Sequence, residues 1–126
     1  MTIREAIDKI DVLLHNTYST EEKVAWLSKL DWMVMKQVIL THAGAKDVVF
    51  DGYTTDTDMD TELLIPEPYC EAYTKWLEAQ IHYNNAEYPK YNNAILMFNA
   101  EYEAYGAEYN RTHRPNNPAG GNRFRF

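Results

Sequence analysis

Apolar and aromatic residues recur at alternating steps of four and three between residues 69 and 109. The first run is Tyr69, Tyr73, Trp76, Gln80 and Tyr83, and the second is Tyr91, Ile95, Phe98, Tyr102, Tyr105 and Tyr109. This spacing is typical of a helix that packs along its whole length against another helix. The connector between the runs, residues 84–89, is short and ends in Pro89, which suits the first turn of a helix. Because so short a connection forces its helices antiparallel, the pattern predicts an αα-hairpin with helices over about 68–85 and 89–112.

Two earlier helices are predicted from helix-start signals and apolar stripes. Each start is a capping box, in which a hydroxyl residue is followed three positions later by a glutamate: Thr2 with Glu5, and Ser19 with Glu22. An apolar stripe at helical spacing predicts helix one over about 2–15. A broad apolar face predicts helix two over about 20–43, with Gly44 as its C-cap. The four helices together predict an all-α, four-helix bundle-like domain over residues 1–112.

The helical period is absent from the segment between helices two and three. Two short apolar runs, Val48-Val49-Phe50 and Leu63-Leu64-Ile65, flank an acidic stretch over residues 54–62. Because β-branched and aromatic residues favour strands, we expect the runs to pair as a small β-hairpin insertion. A lone hairpin is marginal in water, so this arm over about 45–67 should pack on its own helices or on another chain.

Charge is divided unevenly along the chain. Residues 1–110 hold all 19 acidic residues and 8 of the 12 basic ones, a net charge of −11, whereas residues 111–126 hold four arginines and no acid, a net charge of +4. An acidic body disfavours nucleic-acid binding, because affinity for DNA depends on basic contacts to phosphate. Residues 113–126 show no periodicity and are rich in Pro and Gly. They are predicted to form a flexible basic tail that docks onto an acidic neighbour, such as another copy of the chain.

Acidic residues in the predicted arm follow the spacing of a calcium-binding loop. Counted from the first, they occupy positions 1, 3, 5, 7 and 12: Asp56, Asp58, Asp60, Glu62 and Glu67. Thr61, however, stands where the sharp turn of such a loop requires glycine, and Pro66 interrupts the helix that would follow. A solvated acidic hairpin tip is the preferred interpretation, with calcium binding as the alternative.

Two further sets of residues have the chemistry of a site but lack its spacing. Glu78 and His82 lie four apart on one helix face and could hold a metal with Glu101, but a di-iron bundle needs Glu and His three apart, twice. Cys70 is the single cysteine, and no pattern places a histidine beside it. We therefore predict no catalytic residue, no metal site, no cofactor, no small-molecule substrate and a chain that is not an enzyme.

Eight of the ten tyrosines lie between residues 69 and 109. A four-helix domain this small cannot bury all its aromatic side chains, and tyrosine is enriched at protein–protein interfaces. Base stacking is disfavoured, because the charges between these aromatics are acidic. We therefore predict subunit or partner contacts through the arm, the aromatic runs and the tail. The predicted interface residues are Val48, Val49, Phe50, Tyr53, Tyr91, Phe98, Tyr102, Tyr105, Tyr109, Arg123, Phe124, Arg125 and Phe126.

Several segments of the chain carry a resemblance to a known family. They are Asp51-Gly52-Tyr53, Asp60-Thr61-Glu62-Leu63-Leu64-Ile65-Pro66-Glu67-Pro68-Tyr69, Leu77-Glu78-Ala79-Gln80-Ile81, and the stretch from Tyr91-Asn92-Asn93-Ala94 through Tyr109-Asn110-Arg111-Thr112-His113. Over roughly residues 17–114 the chain resembles small structural proteins of tailed bacteriophages and prophages, of the kind encoded beside the portal and capsid genes. Within that group it is most similar in size and helical layout to head–tail connector (neck adaptor) proteins.

The resemblance implies a helical adaptor whose copies form a ring under the portal vertex. Its partners would be other copies of itself, the portal and other neck proteins, with DNA only as passing cargo and no membrane. Such a protein would be located in the virion and assembled in the bacterial host cytoplasm. Two other functions stay open from the residues alone: a small acidic metal-binding bundle, and a regulatory module that captures a partner's helix along residues 91–109.

Overall fold

In the computed structural model, residues 1–42 and 49–113 are described, and they are predominantly helical. The helices are α1 (Ile3–Leu13), α2 (Thr20–Gln37), α3 (Glu71–Asn84) and α4 (Tyr88–Thr112), with a short 3-10 helix over Ile39–Thr41. The predicted all-α class is confirmed. The predicted C-cap Gly44, the arm residues 45–48 and the tail residues 114–126 lie outside the described residues.

Both predicted capping boxes are present at the starts of α1 and α2. The Thr2 hydroxyl accepts a hydrogen bond from the Glu5 backbone N–H at 3.1 Å, and the Glu5 carboxylate accepts one from the Thr2 N–H at 2.8 Å. Ser19 and Glu22 make the same reciprocal pair at 3.2 and 3.3 Å. Two of the N–H groups that a helix start leaves without partners are thus satisfied in each case.

Helix α2 ends at Gln37, earlier than its apolar pattern predicts, and a 3-10 turn follows it. The Val38 carbonyl accepts from the Thr41 hydroxyl at 2.6 Å and lies 2.6 Å from Nδ1 of His42. In a continuing α-helix that carbonyl would accept from the His42 backbone N–H, which instead bonds to Ile39. Side-chain hydrogen bonds therefore replace the helical ladder at this point.

The predicted β-hairpin insertion is not found, since residues 49–70 contain no strand. Glu62 instead forms an isolated antiparallel bridge with Thr2, and the Leu63 N–H donates to the Met1 carbonyl at 2.9 Å. The carbonyls of Met59 and Thr61 accept from the first N–H groups of α1, at 2.9 and 3.1 Å. A helix start needs such acceptors, and the segment meets that need instead of pairing with itself.

Gly52 lets the segment approach α2 closely. Its φ of 85° lies in the left-handed region, and a Cβ at this position would come within 3.0 Å of the Trp32 indole nitrogen. Phe50 packs edge-on against Trp32 with a centroid separation of 4.8 Å, and Tyr53 follows it into the core. The segment is therefore fixed to α2 at this point.

Helix α3 is the centre of the fold, because it packs against α1, α2 and α4. Its buried residues cover most of its circumference: Ala72, Tyr73, Thr74, Trp76, Leu77, Ala79, Ile81 and His82. Helix α4 packs along α3 as the predicted antiparallel hairpin. Two aromatic pairs join the two helices, Trp76–Phe98 at 5.1 Å and Tyr83–Tyr91 at 5.3 Å between ring centroids. Tyr69, which lies just before α3, continues the series by pairing with Tyr105 of α4 at 6.4 Å, so the partners step by seven residues in opposite directions.

Candidate interaction groove and a buried carboxylate

A groove of about 560 Å³ opens beside the last turns of α4. The 3-10 helix, the segment 64–69 and α4 form its walls. Its apolar and aromatic lining comes from Ile39, Leu64, Pro66, Pro68, Tyr69, Tyr105 and Tyr109, while Glu67, Glu108, Thr112 and His113 add polar groups. A volume of this size is within the range of natural ligand and peptide pockets, about 300–1,000 Å³.

The groove exists because α4 is longer than the helix it packs on. Helix α4 has 25 residues and α3 has 14, lengths of about 37 and 21 Å. Past the start of α3, the aromatic face of α4 continues and meets the segment 64–69 and the 3-10 helix instead. Burial raises the pKa values of Tyr105 and Tyr109, so both phenols stay neutral and their rings present an uncharged wall.

His42 fixes the end of α4 to the 3-10 helix. Its ring is buried, and its Nε2 lies 2.7 Å from the side-chain oxygen of Asn110. Tyr109 packs edge-on against the same ring at 4.7 Å, and His113 stacks on Tyr109 at 3.7 Å. These contacts hold one wall of the groove in place. This favours binding, because fewer side chains must lose conformational freedom when a partner binds.

Asp31 is a fully buried carboxylate on α2 with three hydrogen-bond donors around it. The Tyr53 hydroxyl donates to Oδ2 at 2.5 Å, the Tyr73 hydroxyl donates to Oδ1 at 2.6 Å, and the Leu64 N–H donates to Oδ2 at 3.1 Å. The Tyr73 hydroxyl in turn accepts from the Ile65 N–H at 2.7 Å. One side chain therefore joins α2, α3 and the segment 53–65.

Burial raises the pKa of Asp31, while its hydrogen bonds to Tyr53, Tyr73 and Leu64 act in the opposite direction. Burial and the neighbouring carboxylate also raise the pKa values of both phenols, which remain donors. Because every recorded partner of the carboxylate is an internal donor, the arrangement is suited to fixing the fold.

Asp31 was missed by the sequence reasoning, although a signal for it exists. It occupies a helical step on the apolar face of α2, between Leu27 and Val34, both of which are fully buried. An acid at such a position either lies exposed, because this face of the helix is open to solvent there, or is buried and hydrogen-bonded to donors within the protein. The sequence does not reveal the donors, since they lie 22 to 42 positions away.

The acidic residues with calcium-loop spacing are used in other ways. Asp60 pairs with Arg4 at 3.0 Å, Glu62 pairs with the Met1 amine at 3.1 Å, and Asp58 accepts from the Asp60 backbone N–H at 2.9 Å. No group of three potential ligands lies together in residues 1–42 and 49–113. The calcium-binding alternative therefore has no support from the geometry of this segment.

Glu78 and His82 are neighbours, as predicted from their spacing, with 3.7 Å between Oε2 and Nε2. The other ring nitrogen of His82 lies 3.0 Å from Glu87, which belongs to the turn before α4. That hydrogen bond is the main cause of the lowered pKa of Glu87. The contact between His82 and Glu87 thus joins the end of α3 to the turn before α4.

Cys70 is buried at the start of α3. Burial, together with the nearby carboxylate of Glu67, raises its pKa to about 11. A nucleophilic cysteine needs a lowered pKa, because the thiolate is the reactive form. The environment of this thiol is thus that of a small core residue.

The predicted interface residues fall into different environments. The buried ones are Tyr53, Phe98 and Tyr105. The half-buried ones are Phe50, Tyr91, Tyr102 and Tyr109, and Val49 is 81% exposed. Val48, Arg123, Phe124, Arg125 and Phe126 lie outside the described residues. The interface assignment stays a prediction, and for the buried rings the chain itself already covers the surface a partner would contact.

The outer face of α4 is apolar, although it faces away from α3. Leu96 is 66% exposed and Met97 is 52% exposed. We call the exposed apolar residues at helical steps on this face the outer stripe: Leu96, Met97, Ala100, Ala104 and Ala107. The sequence reasoning missed this stripe, because the larger aromatic residues on the opposite face of α4 dominate the pattern.

None of the helices in residues 1–42 and 49–113 has the length and hydropathy needed to cross a lipid bilayer. Comparison with known proteins gives no relative: no protein-family model matches the chain, and neither a curated protein nor a solved structure matches it. Three features therefore remain from which a function can be inferred. They are the groove, the outer stripe, and the Asp31 carboxylate with its donors Tyr53, Tyr73 and Leu64, which we call the Asp31 cluster.

Proposed function

We propose that this chain is a non-enzymatic assembly protein, a head–tail connector (neck adaptor) subunit of a tailed bacteriophage or prophage. It forms homo-oligomers, with a ring as the expected form, and docks on the portal and other neck proteins. The observation that carries the proposal is the outer stripe, because a long helix with a solvent-facing apolar face is suited to contact another chain. The family resemblance supplies the particular kind of assembly.

A ring needs two different surfaces on each subunit, since its contacts are heterologous. The outer stripe and the groove supply two such surfaces, and they lie on different faces of α4. Leu96 and Met97 provide the large apolar side chains of the first surface, and Tyr69 and Tyr109 provide rings at the second. A chain with both surfaces can bind one neighbour with each.

The acidic body is compatible with DNA as passing cargo only. Residues 1–110 carry a net charge of −11, so contacts to phosphate are disfavoured along most of the chain. In this proposal the protein is located in the virion and is assembled in the host cytoplasm. The Asp31 cluster supports a structural role for the Asp31 carboxylate, because its three donors all belong to this chain.

The test is the mass of the full chain by light scattering across a concentration series, alone and with a purified portal ring. We expect a concentration-dependent oligomer or a portal-bound complex. The variant Met97→Glu should reduce it, because a charge in the outer stripe would be buried at the contact. Asn99→Glu is the matched control, since it adds the same charge to an exposed position of α4 beside the stripe. A monomer under every condition, with no portal binding, would contradict the proposal.

A further inference from the structure

We infer that the groove accepts the Arg123-Phe124-Arg125-Phe126 segment of a neighbouring copy of this chain. This inference rests on the proposed function, because it requires copies of the chain to meet. It also deepens that function, because it names the segment that would join one subunit to the next.

The aromatic lining of the groove suits the two phenylalanines of this segment. Tyr69, Tyr105 and Tyr109 line one end of the groove, where the ring centroids of Tyr69 and Tyr105 are 6.4 Å apart and those of Tyr105 and Tyr109 are 5.9 Å apart. Aromatic rings prefer edge-to-face and offset contacts at such separations. A phenylalanine entering the groove would pack against the half-buried rings of Tyr69 and Tyr109, both of which are in turn supported by the buried ring of Tyr105.

The acidic residues of the groove suit the two arginines. Glu67 lies exposed in the lining, and Glu108 is half-buried there with Arg111 as a partner. Arginine forms paired hydrogen bonds with carboxylates and also stacks on aromatic faces. A segment that alternates Arg with Phe can place its charges toward Glu67 while its rings enter the groove. The net charges of the body and the tail, −11 and +4, favour the same encounter over a longer distance.

Chain length allows the segment to reach the next copy. His113 is itself part of the groove lining, and residues 114–122 separate it from Arg123. The ten residue steps from His113 to Arg123 span about 33–36 Å when fully extended. A domain of about 110 residues is about 34 Å across, as estimated from its expected radius of gyration. When the chain between His113 and Arg123 is nearly fully extended, the segment can therefore reach from one groove to the corresponding groove of an adjacent subunit.

Photo-crosslinking in the full chain tests which groove is occupied. Phe124 is replaced by benzoyl-phenylalanine, and protein labelled with ¹⁵N is mixed with unlabelled protein before irradiation. We expect cross-links between a labelled and an unlabelled peptide, with the attachment at the groove residues Pro68, Tyr69 or Tyr109. Cross-links that join only peptides of the same isotope would place the segment in its own groove and overturn the inference, as would attachment outside the groove.

A charge exchange tests the proposed ion pairs. Glu67→Lys and Arg125→Glu should each raise the concentration needed for half-maximal assembly at least tenfold, and the double variant should recover most of that loss. Asp8→Lys is the matched control, because Asp8 is an exposed acid of α1 that lies outside both the groove and the outer stripe. Unchanged melting temperatures would show that the variants fold. Assembly that persists unchanged in both single variants would overturn the inference but leave the proposed function standing, whereas no assembly in the unmodified chain, with or without portal, would remove both.

Discussion

Two groups of tyrosines in this chain share a side chain but use different parts of it. Tyr53 and Tyr73 direct their hydroxyls at the buried carboxylate of Asp31, at 2.5 and 2.6 Å. Tyr105 and Tyr109 instead present their rings to a groove. The difference arises from Asp31, a single residue of α2 that supplies a buried acceptor at one place and none at the other. A count of tyrosines in the sequence therefore does not show which hydroxyls bond within the core and which rings line the groove.

Asp31→Ala should have the largest effect on stability, because it removes the acceptor for three donors at once. Two phenol hydroxyls and the Leu64 N–H would lose their partner in the core. We expect the free energy of unfolding to fall by about 3 kcal/mol, since buried polar groups without partners are costly even when an unfavourable buried charge is also removed. Urea unfolding measures this loss.

Asp8→Ala is the control for this variant, because Asp8 is an exposed acid on α1. Its unfolding free energy should stay within about 0.5 kcal/mol of the unmodified chain. Equal losses in both variants would mean that the Asp31 cluster contributes nothing beyond an ordinary surface acid, and the contrast between the two groups of tyrosines would then disappear.

The pH dependence of stability should carry the signature of Asp31. Its pKa in the folded protein is raised above the ordinary aspartate pKa of about 3.9, so between these two pKa values the folded state binds more protons than the unfolded state. Stability from this group therefore falls as pH rises through that window and is largest below it. Asp31→Asn does not titrate, so the unmodified chain should gain stability relative to this variant as pH falls. Urea unfolding of both proteins from pH 7 down to pH 4 measures the difference, and a constant difference would contradict the raised pKa.

Tyr73→Phe and Tyr105→Phe should separate the two groups directly. The Tyr73 hydroxyl donates to Asp31 and accepts from Ile65, so its removal leaves a donor and an acceptor buried without that partner. We expect a loss of about 1–3 kcal/mol. Within the described part of the chain the Tyr105 hydroxyl has no hydrogen-bond partner, so Tyr105→Phe should change stability by less than about 0.5 kcal/mol. Thermal unfolding of the pair is the measurement, and a reversed order would show that hydroxyl bonding does not distinguish the groups.

The parts of the fold that depend on neighbouring residues are predictable from the sequence. Capping boxes, the helical spacing of α1 and the short connector of the αα-hairpin all act over a few positions. The two aromatic runs at heptad spacing likewise predict which faces of the hairpin helices meet, although they do not specify the individual pairs. The aromatic pairs Tyr69–Tyr105 and Tyr83–Tyr91 are the outcome.

The parts that depend on distant residues are not predictable in this way. The run Leu63-Leu64-Ile65 has the composition of a strand. Its backbone N–H groups, however, donate hydrogen bonds to Met1 and Asp31, which are far away in sequence. The end of α2 similarly depends on side chains that take the Val38 carbonyl. In each case a backbone group forms its hydrogen bond outside the helix or strand that the local pattern predicts. The pattern of apolar and polar residues does not indicate that partner.

Gly106→Ala should give a small gain in stability, and it separates the stability of α4 from its contacts. Gly106 lies inside α4 next to Tyr105, and a Cβ at this position would meet nothing within 4 Å among residues 1–42 and 49–113. Alanine should therefore raise the unfolding free energy by about 0.5–1 kcal/mol, because glycine is the more costly residue in a helix interior. If the variant is more stable yet assembles less well, a neighbouring chain approaches α4 at this turn, since the added methyl group obstructs nothing in the described part of this chain. If stability and assembly both increase, α4 acts as a stiff support whose partner surfaces lie elsewhere, on the outer stripe and in the groove. A loss of stability would contradict the open space at this position.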